Sequence, residues 1–389
     1  MALVPLGYNL KSLAVRKSAT VLTVISIGAT VAVLAGVLAL TQGFETLFSE
    51  SGSDDVAVFL RPGANSEGES GFSKPRAREL IKSTGEIAEN AAGLPLASAE
   101  SYLAVRLFKL NGGETNVPVR GVQPMTFEIF GDRISYVAGA AFRPGTDEVI
   151  VGEKLTRRIE GCQLGDVLQI NTTPFKVVGV FASDGPYASE IWGDVDRMSE
   201  ALDRATYNRV IARLDDGVDF EAFAQRLEDD ERVPAKAMTE RGYLGSQTAF
   251  LSITLTFLGG FLALVMGVAA VFTATNTMLA ALAARSHEIG VLTSIGFRPV
   301  PIFLSFLFEA LVLGLLGGLV GVLLTLPLSG VETGTTNFQT FTEVAFAFRV
   351  TPRVLVTAIV FAIVLGLLGG AWPAWRAARM EPVEALRRR

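Results

Sequence analysis

Four stretches of this chain carry almost no charge, and each is long enough to cross a membrane. Residues 19–43, 247–284 and 354–375 contain no Asp, Glu, Lys or Arg, and 299–330 contains only Glu309. An α-helix needs about 20 apolar residues to span roughly 30 Å of hydrocarbon, and a helix lets such a segment satisfy its own backbone there. Yet 19% of the chain is charged, too much for a protein living wholly in lipid, so the charge must be segregated. Most of it falls between the first two stretches, where about 200 residues of ordinary composition leave room for a folded domain with its own core.

Flanking charge sets the expected orientation. Lys11, Arg16 and Lys17 precede the first stretch, Arg285 and Arg298 bracket the loop between the second and third, and Arg376, Arg379 and Arg387 to Arg389 follow the fourth. Residues 45–245 hold 33 Asp/Glu against 22 Lys/Arg, a net of −11. Cytoplasmic flanks collect Lys and Arg. Both termini and the middle loop are therefore expected inside a plasma (inner) membrane, and the acidic region outside. Arg349 and Arg353 run against this and are outvoted. The first stretch exceeds a signal h-region and ends in Leu40-Thr41-Gln42-Gly43-Phe44 rather than small residues, so it reads as an uncleaved anchor.

The second stretch is too long for a simple span. Its 38 uncharged residues correspond to about 57 Å of helix, more than tilt absorbs. Either the helix projects outside as a stalk, or it breaks near Gly259-Gly260 and one part lies outside.

Residues 45–245 alternate between strand-like and helix-like pattern. Residues 56–60, 101–107 and 117–122 read as strands, and 74–92 as a helix entered through Ser73 with Pro75 in its first turn. A strand over 147–151 leads into a short helix over 153–159. Residues 167–170 and 175–181 form a hairpin across Asn171-Thr172-Thr173-Pro174, and 208–214 then 219–229 give a strand and a helix. Gly, Ser and Glu make 63–71 read as a flexible loop. The expected fold class is therefore a membrane protein: four transmembrane α-helices with a large α+β extracytoplasmic domain between helices 1 and 2.

Enzyme chemistry finds little to work with. Cys162 is the only cysteine and His287 the only histidine, so disulfides, zinc clusters and Ser–His–Asp triads lack partners. Cys162 is expected to be a buried packing residue. No Gly-x-Ser-x-Gly elbow or dinucleotide glycine fingerprint occurs. No catalytic, cofactor-binding or metal residue is expected, and no nucleic-acid partner.

The loop after the second stretch reads Arg285-Ser286-His287-Glu288-Ile289-Gly290, then Ile295-Gly296-Phe297, with Glu309 in the third stretch. Ile289, Leu292 and Ile295 at three-residue spacing suggest a short amphipathic helix, resting on lipid or filling a partner's groove. The tail carries Pro373, Ala377-Ala378, Pro382 and Ala385-Leu386-Arg387, while Asn9-Leu10-Lys11-Ser12-Leu13 and Gly43-Phe44 flank the first stretch. Together these closely resemble the FtsX-like permease family, where Glu-Ile-Gly, a following Ile-Gly, a Glu opening the third span and a Pro-x-x-x-Ala-Ala-x-x-x-Pro-x-x-Ala-Leu-Arg tail recur. Residues 147–179 resemble the MacB-type periplasmic core.

The resemblance implies the permease of a type VII ABC transporter, a homo- or heterodimer surrounded by membrane lipids, with an ABC ATPase and room for a periplasmic adaptor. No Gly-x-x-x-x-Gly-Lys-Ser/Thr loop occurs, so ATP hydrolysis is expected in a separate subunit and not in this chain. It also implies that 285–298 is the coupling helix that docks in that ATPase. Its contact residues would be Arg285, His287, Glu288, Ile289, Gly290, Leu292, Ile295 and Gly296; His287 stands where the family more often has Arg.

The expected map is a cytoplasmic amphipathic segment 1–18, helix 1 over 19–43, the extracytoplasmic domain over 44–246, and helix 2 with its stalk over 247–284. The coupling helix 285–298 follows, then helix 3 over 299–329, an outer loop 330–353, helix 4 over 354–375 and a cytoplasmic tail 376–389. Glu309 is costly within a span, leaving three readings open: pairing at the coupling loop, a proton or substrate role, or interfacial exposure. Ala32/Gly36, Gly317/Gly321 and Gly366/Gly370 offer close-packing faces, within the chain or across a dimer. The expected function is ATP-driven mechanotransmission to the outer domain, moving a lipoprotein, lipid, peptide or amphiphile. The alternative is a non-transporting receptor or sensor; a proton-coupled secondary transporter has little to build a pathway from.

Overall fold

The computed structural model describes residues 13, 15–296, 298–337 and 342–381. Most of the 1–18 segment, Phe297 and the 382–387 part of the tail motif lie outside them. The chain divides into two compact units. Met1–Gly43, Ser252–Val331 and Ala347–Arg389 form a membrane unit; Phe44–Leu251 and Glu332–Phe346 form a sheet unit.

Four long helices, Lys17–Glu45, Glu240–Ala284, Pro299–Thr325 and Pro352–Ala378, supply the transmembrane segments. Their contacts explain two of the three small-residue pairs. A Cβ on Gly317 would lie 2.6 Å from Ile27 Cγ2, and one on Gly321 2.7 Å from Val31, so the first and third helices meet there. A Cβ on Gly366 would lie 2.6 Å from the Ala310 carbonyl oxygen, and one on Gly370 2.1 Å from Ala310 Cβ, so the third and fourth meet likewise. Both stripes are consumed by packing within the chain. Large apolar side chains such as Ile253, Phe257, Phe261 and Phe272 on the second helix stay exposed, as a surface facing lipid tails requires.

The second helix does not break at Gly259-Gly260. Gly259 sits where a Cβ would strike Val37 of the first helix at 2.3 Å, so this glycine serves close approach rather than a kink. The helix also starts seven residues earlier than charge suggested, at Glu240.

In the sheet unit, one ten-stranded sheet runs Lys236–Thr239, Val56–Leu60, Arg209–Arg213, Ala97–Phe108, Glu114–Val122, Ile191–Asp194, Glu148–Gly152, Thr173–Ala182, Ser135–Gly139, with Val167–Ile170 paired to Thr173–Ala182. Two apolar cores form along it. One gathers Phe59, Phe72, Leu80, Val210 and Phe223; the other gathers Val119, Val149, Leu168, Phe175 and Ile191 around the buried Cys162. Burial pushes the Cys162 thiol up to about 12, which leaves it inert.

Several local expectations are corrected. The helix over 74–92 stops at Ser83: Thr84 caps it with hydroxyl and amide both on Leu80 O, takes an extended backbone at ψ 98°, and the chain then turns to bridge Leu214 at Ile87. Residues 153–158 form turns, not a helix, and Ile159 forms a β-bridge. Glu153 N donates to Phe181 O and Lys154 N to Ala188 O, Arg158 N and Ile159 N both close on Leu155 O, and Ile159 then bridges Lys109, so the segment ends after one turn. The expected 330–353 loop contains a hairpin, Glu332–Asn337 with Thr342–Ala347.

Candidate functional site

The loop after the second long helix is built by two backbone devices. Arg285 leaves helical geometry at φ −110°, separating the long helix from a short one over Ser286–Ser294. Gly296 then takes φ +97°, a left-handed turn that ends helices cheaply only at glycine. Arg298 is extended, as a residue before proline must be, and Pro299 opens the third helix.

The short helix turns its buried side to the membrane unit. Ile289 joins Met278, Leu282, Ile302, Phe306 and Ala310 in one apolar cluster, and Gly290 is buried beside it. His287, Glu288, Val291, Ser294 and Ile295 are exposed, Leu292 is half-buried, and Gly296 is exposed in its turn. The expected stripe of Ile289, Leu292 and Ile295 is therefore split. Helical residues advance about 100° each, so steps of three drift by about 60°, and two steps carry Ile295 some 120° from Ile289. The exposed residues 287, 288, 291, 294 and 295 follow the i, i+1, i+4, i+7, i+8 pattern of one helix face.

Arg285 and Glu309 meet at this loop. Arg285 Nη1 donates to Glu309 Oε2 at 3.1 Å, with both side chains buried, and the guanidinium lies over the Phe306 ring. Of the three readings of Glu309, pairing at the loop is the one the contacts match. Arg16 Nη2 adds a hydrogen bond to Ala281 O at 2.9 Å on the last turn of the second helix.

A second cluster escaped sequence reasoning. Within the sheet unit, Arg120 forms paired hydrogen bonds to Glu190, Nε at 2.7 Å and Nη2 at 2.9 Å, and its Nη1 donates to Glu67 at 2.6 Å. Arg209 donates to Glu100 through Nε at 2.8 Å and to Glu67 through Nη1 at 2.8 Å. All five side chains are buried. Burial opposes the charge on Glu67, but Arg120 and Arg209 outweigh it and hold its carboxyl below the ordinary range. Burial likewise opposes the charge on both arginines, and the surrounding carboxylates raise them well above their ordinary values. Glu67 lies in the 63–71 segment that composition marked as a flexible loop; in the fold, Ser66, Glu67 and Ser70 are buried. Its partners stand 53 and 142 residues away in sequence, a pairing that no local pattern announces.

The cluster reaches the first turns of the second long helix. Tyr187 donates its hydroxyl to Glu240 Oε1 at 3.0 Å, Arg133 Nη1 donates to Glu240 Oε2, and Ser53 N donates to the same oxygen at 3.0 Å. Arg209 Nη1 lies 3.4 Å from the Tyr187 hydroxyl, and Glu67 N donates to the Tyr243 hydroxyl at 3.2 Å.

Comparison with known proteins places both regions. Residues 20–230 match the MacB-like periplasmic core domain, and 244–382 match the FtsX-like permease C-terminal region. The chain is 28% identical over 343 residues to the macrolide export ATP-binding/permease protein MacB 1 of Aeromonas hydrophila, covering 82% of this chain and 51% of that one. It is 29% identical over 256 residues to the pyoverdine export ATP-binding/permease protein PvdT of Pseudomonas aeruginosa, covering 62% of this chain and 37% of that one. It thus spans about half or less of the length of these relatives. Against the ABC transporter permease YknZ of Bacillus subtilis it is 23% identical over 409 residues, covering 97% of both chains. With a MacB-like core domain over more than half its length and FtsX-like helices after it, the chain belongs to the FtsX-like, MacB-type family of ABC transporter permeases.

Proposed function

We propose that this chain is the permease subunit of an ABC transporter whose ATPase is a separate subunit, and that it works by mechanotransmission. The observation that carries the reading is the second long helix. It is one uninterrupted helix of 45 residues, about 68 Å at 1.5 Å per residue. Its first turn holds the buried Glu240 among partners in the sheet unit, and its last residue leads through Arg285 into the short helix with the exposed face. In this reading the ATPase grips that face, closes on ATP in a dimer of permeases, and displaces the helix, which reshapes the extracytoplasmic sheet unit. Both termini then lie in the cytoplasm.

The spans themselves offer little to line a hydrophilic conduit. Glu309 is bridged to Arg285, and the hydroxyls of Thr30, Thr41, Thr273 and Thr325 donate to carbonyls one turn back in their own helices. Such groups are not presented to replace an ion's or sugar's hydration. Cargo is therefore taken outside the bilayer or from its outer leaflet, as a lipoprotein, lipid, peptide or amphiphile; relatives named for macrolide and pyoverdine export fit that class.

The test uses Glu288→Lys and Ile295→Asp, both on the exposed face. The full permease, reconstituted with its ATPase, should insert normally and lose co-purification and coupled hydrolysis. Wild-type hydrolysis in both variants refutes the docking role. Gly290 is unsuitable as a probe of docking, because it is buried within the chain.

A further inference from the structure

We propose that Glu240, held by Tyr187 and Arg133, is the positioning residue through which movement of the second long helix enters the sheet unit. The inference rests on the mechanotransmission reading and assigns its point of entry. Glu240 is 1% exposed, although it stands in the first turn of a helix and at the end of a strand, where a carboxylate ordinarily sits in water. Among the described residues, its carboxylate is bonded by other segments of the sheet unit: the Tyr187 hydroxyl, the Arg133 guanidinium and the Ser53 amide. A simple helix cap would need none of these.

The contacts continue inward along one path. Tyr187 sits beside Arg209, which binds Glu67 and Glu100; Glu67 binds Arg120, which binds Glu190. Arg209, Glu100 and Arg120 lie on three consecutive neighbours of the sheet, Arg209–Arg213, Ala97–Phe108 and Glu114–Val122, and Glu190 immediately precedes the fourth, Ile191–Asp194. Val210 and Ala99 on the first two of these strands belong to one apolar core, whereas Val119 and Ile191 on the last two belong to the other. The ionic cluster thus lies where the sheet passes from one core to the next. Ion pairs and paired hydrogen bonds of fixed geometry resist shear better than apolar contacts, because displacement strands a buried charge. Pulling on Glu240 therefore loads both cores together. Tyr243 and Gln247, one and two turns further on, add bonds to Glu67 N and Asn65 O, so the latch extends along the helix.

The experiment is hydrogen–deuterium exchange on the full permease–ATPase complex in nanodiscs, with and without ATP. It compares wild type, Glu240→Gln and Tyr187→Phe. The phenylalanine variant keeps ring packing and removes only the hydroxyl link, so it serves should Glu240→Gln fail to fold. In wild type, ATP should change exchange both in the short helix Ser286–Ser294 and in the strands Ala97–Phe108 and Glu114–Val122. In the variants the change at the short helix and the hydrolysis rate should persist, while the change in the strands disappears. Variants that retain the strand response overturn the inference and leave the mechanotransmission reading standing. Variants that lose both responses show a general structural role and also overturn it. A wild type with no strand response removes the reading itself and the inference with it.

Discussion

Replacing Glu309 by Leu should be among the most damaging single changes in the membrane unit. Its carboxylate meets Arg285 at 3.1 Å, with side-chain exposures of 3% and 10%. At an effective dielectric of about 20 the gross attraction is about 5 kcal/mol, most of which offsets desolvation. Removing the carboxylate takes away the buried partner of Arg285, whose guanidinium lies over Phe306, and breaking a buried pair from one side costs about 3–5 kcal/mol. Glu288 offers an alternative partner at 3.7 Å, but its side chain is 55% exposed, and a pair of that kind is worth about 0.3–0.5 kcal/mol. The buried partner therefore dominates. Replacing both residues, as Arg285→Met with Glu309→Leu, should recover most of the loss, because apolar substitutes of similar size remove the stranded charge. The assay is a double-mutant cycle on unfolding in bicelles, with a coupling energy of about 3 kcal/mol or more expected. A cost below about 1 kcal/mol for Glu309→Leu, or simple additivity in the double variant, would refute the reasoning and return Glu309 to the proton or substrate readings.

The remaining predictions concern the sheet unit. Cys162 is buried, with its thiol near 12, so about one in ten thousand is thiolate at pH 8; the native chain should stay unlabelled by maleimide until it is unfolded. Against that silent background, a cysteine at the exposed Asp216 should react with an impermeant reagent in intact spheroplasts and one at Ser294 should not; labelling at Ser294 would reverse the orientation. The Glu67 carboxyl is held low by Arg120 and Arg209, so its contribution is present above the unfolded value of about 4.3 and lost as pH falls through the lower folded value. Thermal midpoints of wild type should fall more steeply below about pH 4 than those of Glu67→Gln, which should be less stable at neutral pH; parallel curves would show that Glu67 is not paired as described.

How much of this was legible from sequence divides by the range of the interaction. The membrane helices announce themselves because a span must be continuously apolar, and charge marks their ends. The hairpin at 167–182 is equally local: Ile170 pairs with Thr173 across Asn171, whose φ of +54° is one that Asn tolerates. The loop after the second helix was readable as a short helix, but not which of its residues turn inward, since the burial of Ile289 is set by the helices it meets. The helix start was misplaced for a related reason. Glu240 and Arg241 look like the charged end of a soluble segment, and only tertiary contact with Tyr187 and Arg133 makes Glu240 a buried member of the helix.

The ionic cluster marks where such reading ends. Glu67 stands in a segment of Gly, Ser and Glu whose composition favours a solvated loop, and that tendency is overruled by two arginines brought from distant strands. A carboxylate enters a core only when the cations that neutralise it arrive with it, so its burial is a property of the assembled sheet and of no window of residues. The acidic excess of residues 45–245 hid the same fact, because a net charge of −11 says nothing about which charges are paired and buried. Within that excess, Glu67, Glu100, Glu190 and Glu240 are withdrawn from the surface by Arg120, Arg209 and Arg133. The acidity that marked the domain as extracytoplasmic and the ion pairs that bind it to the second helix are thus drawn from one pool of residues, separable only by where the fold puts them.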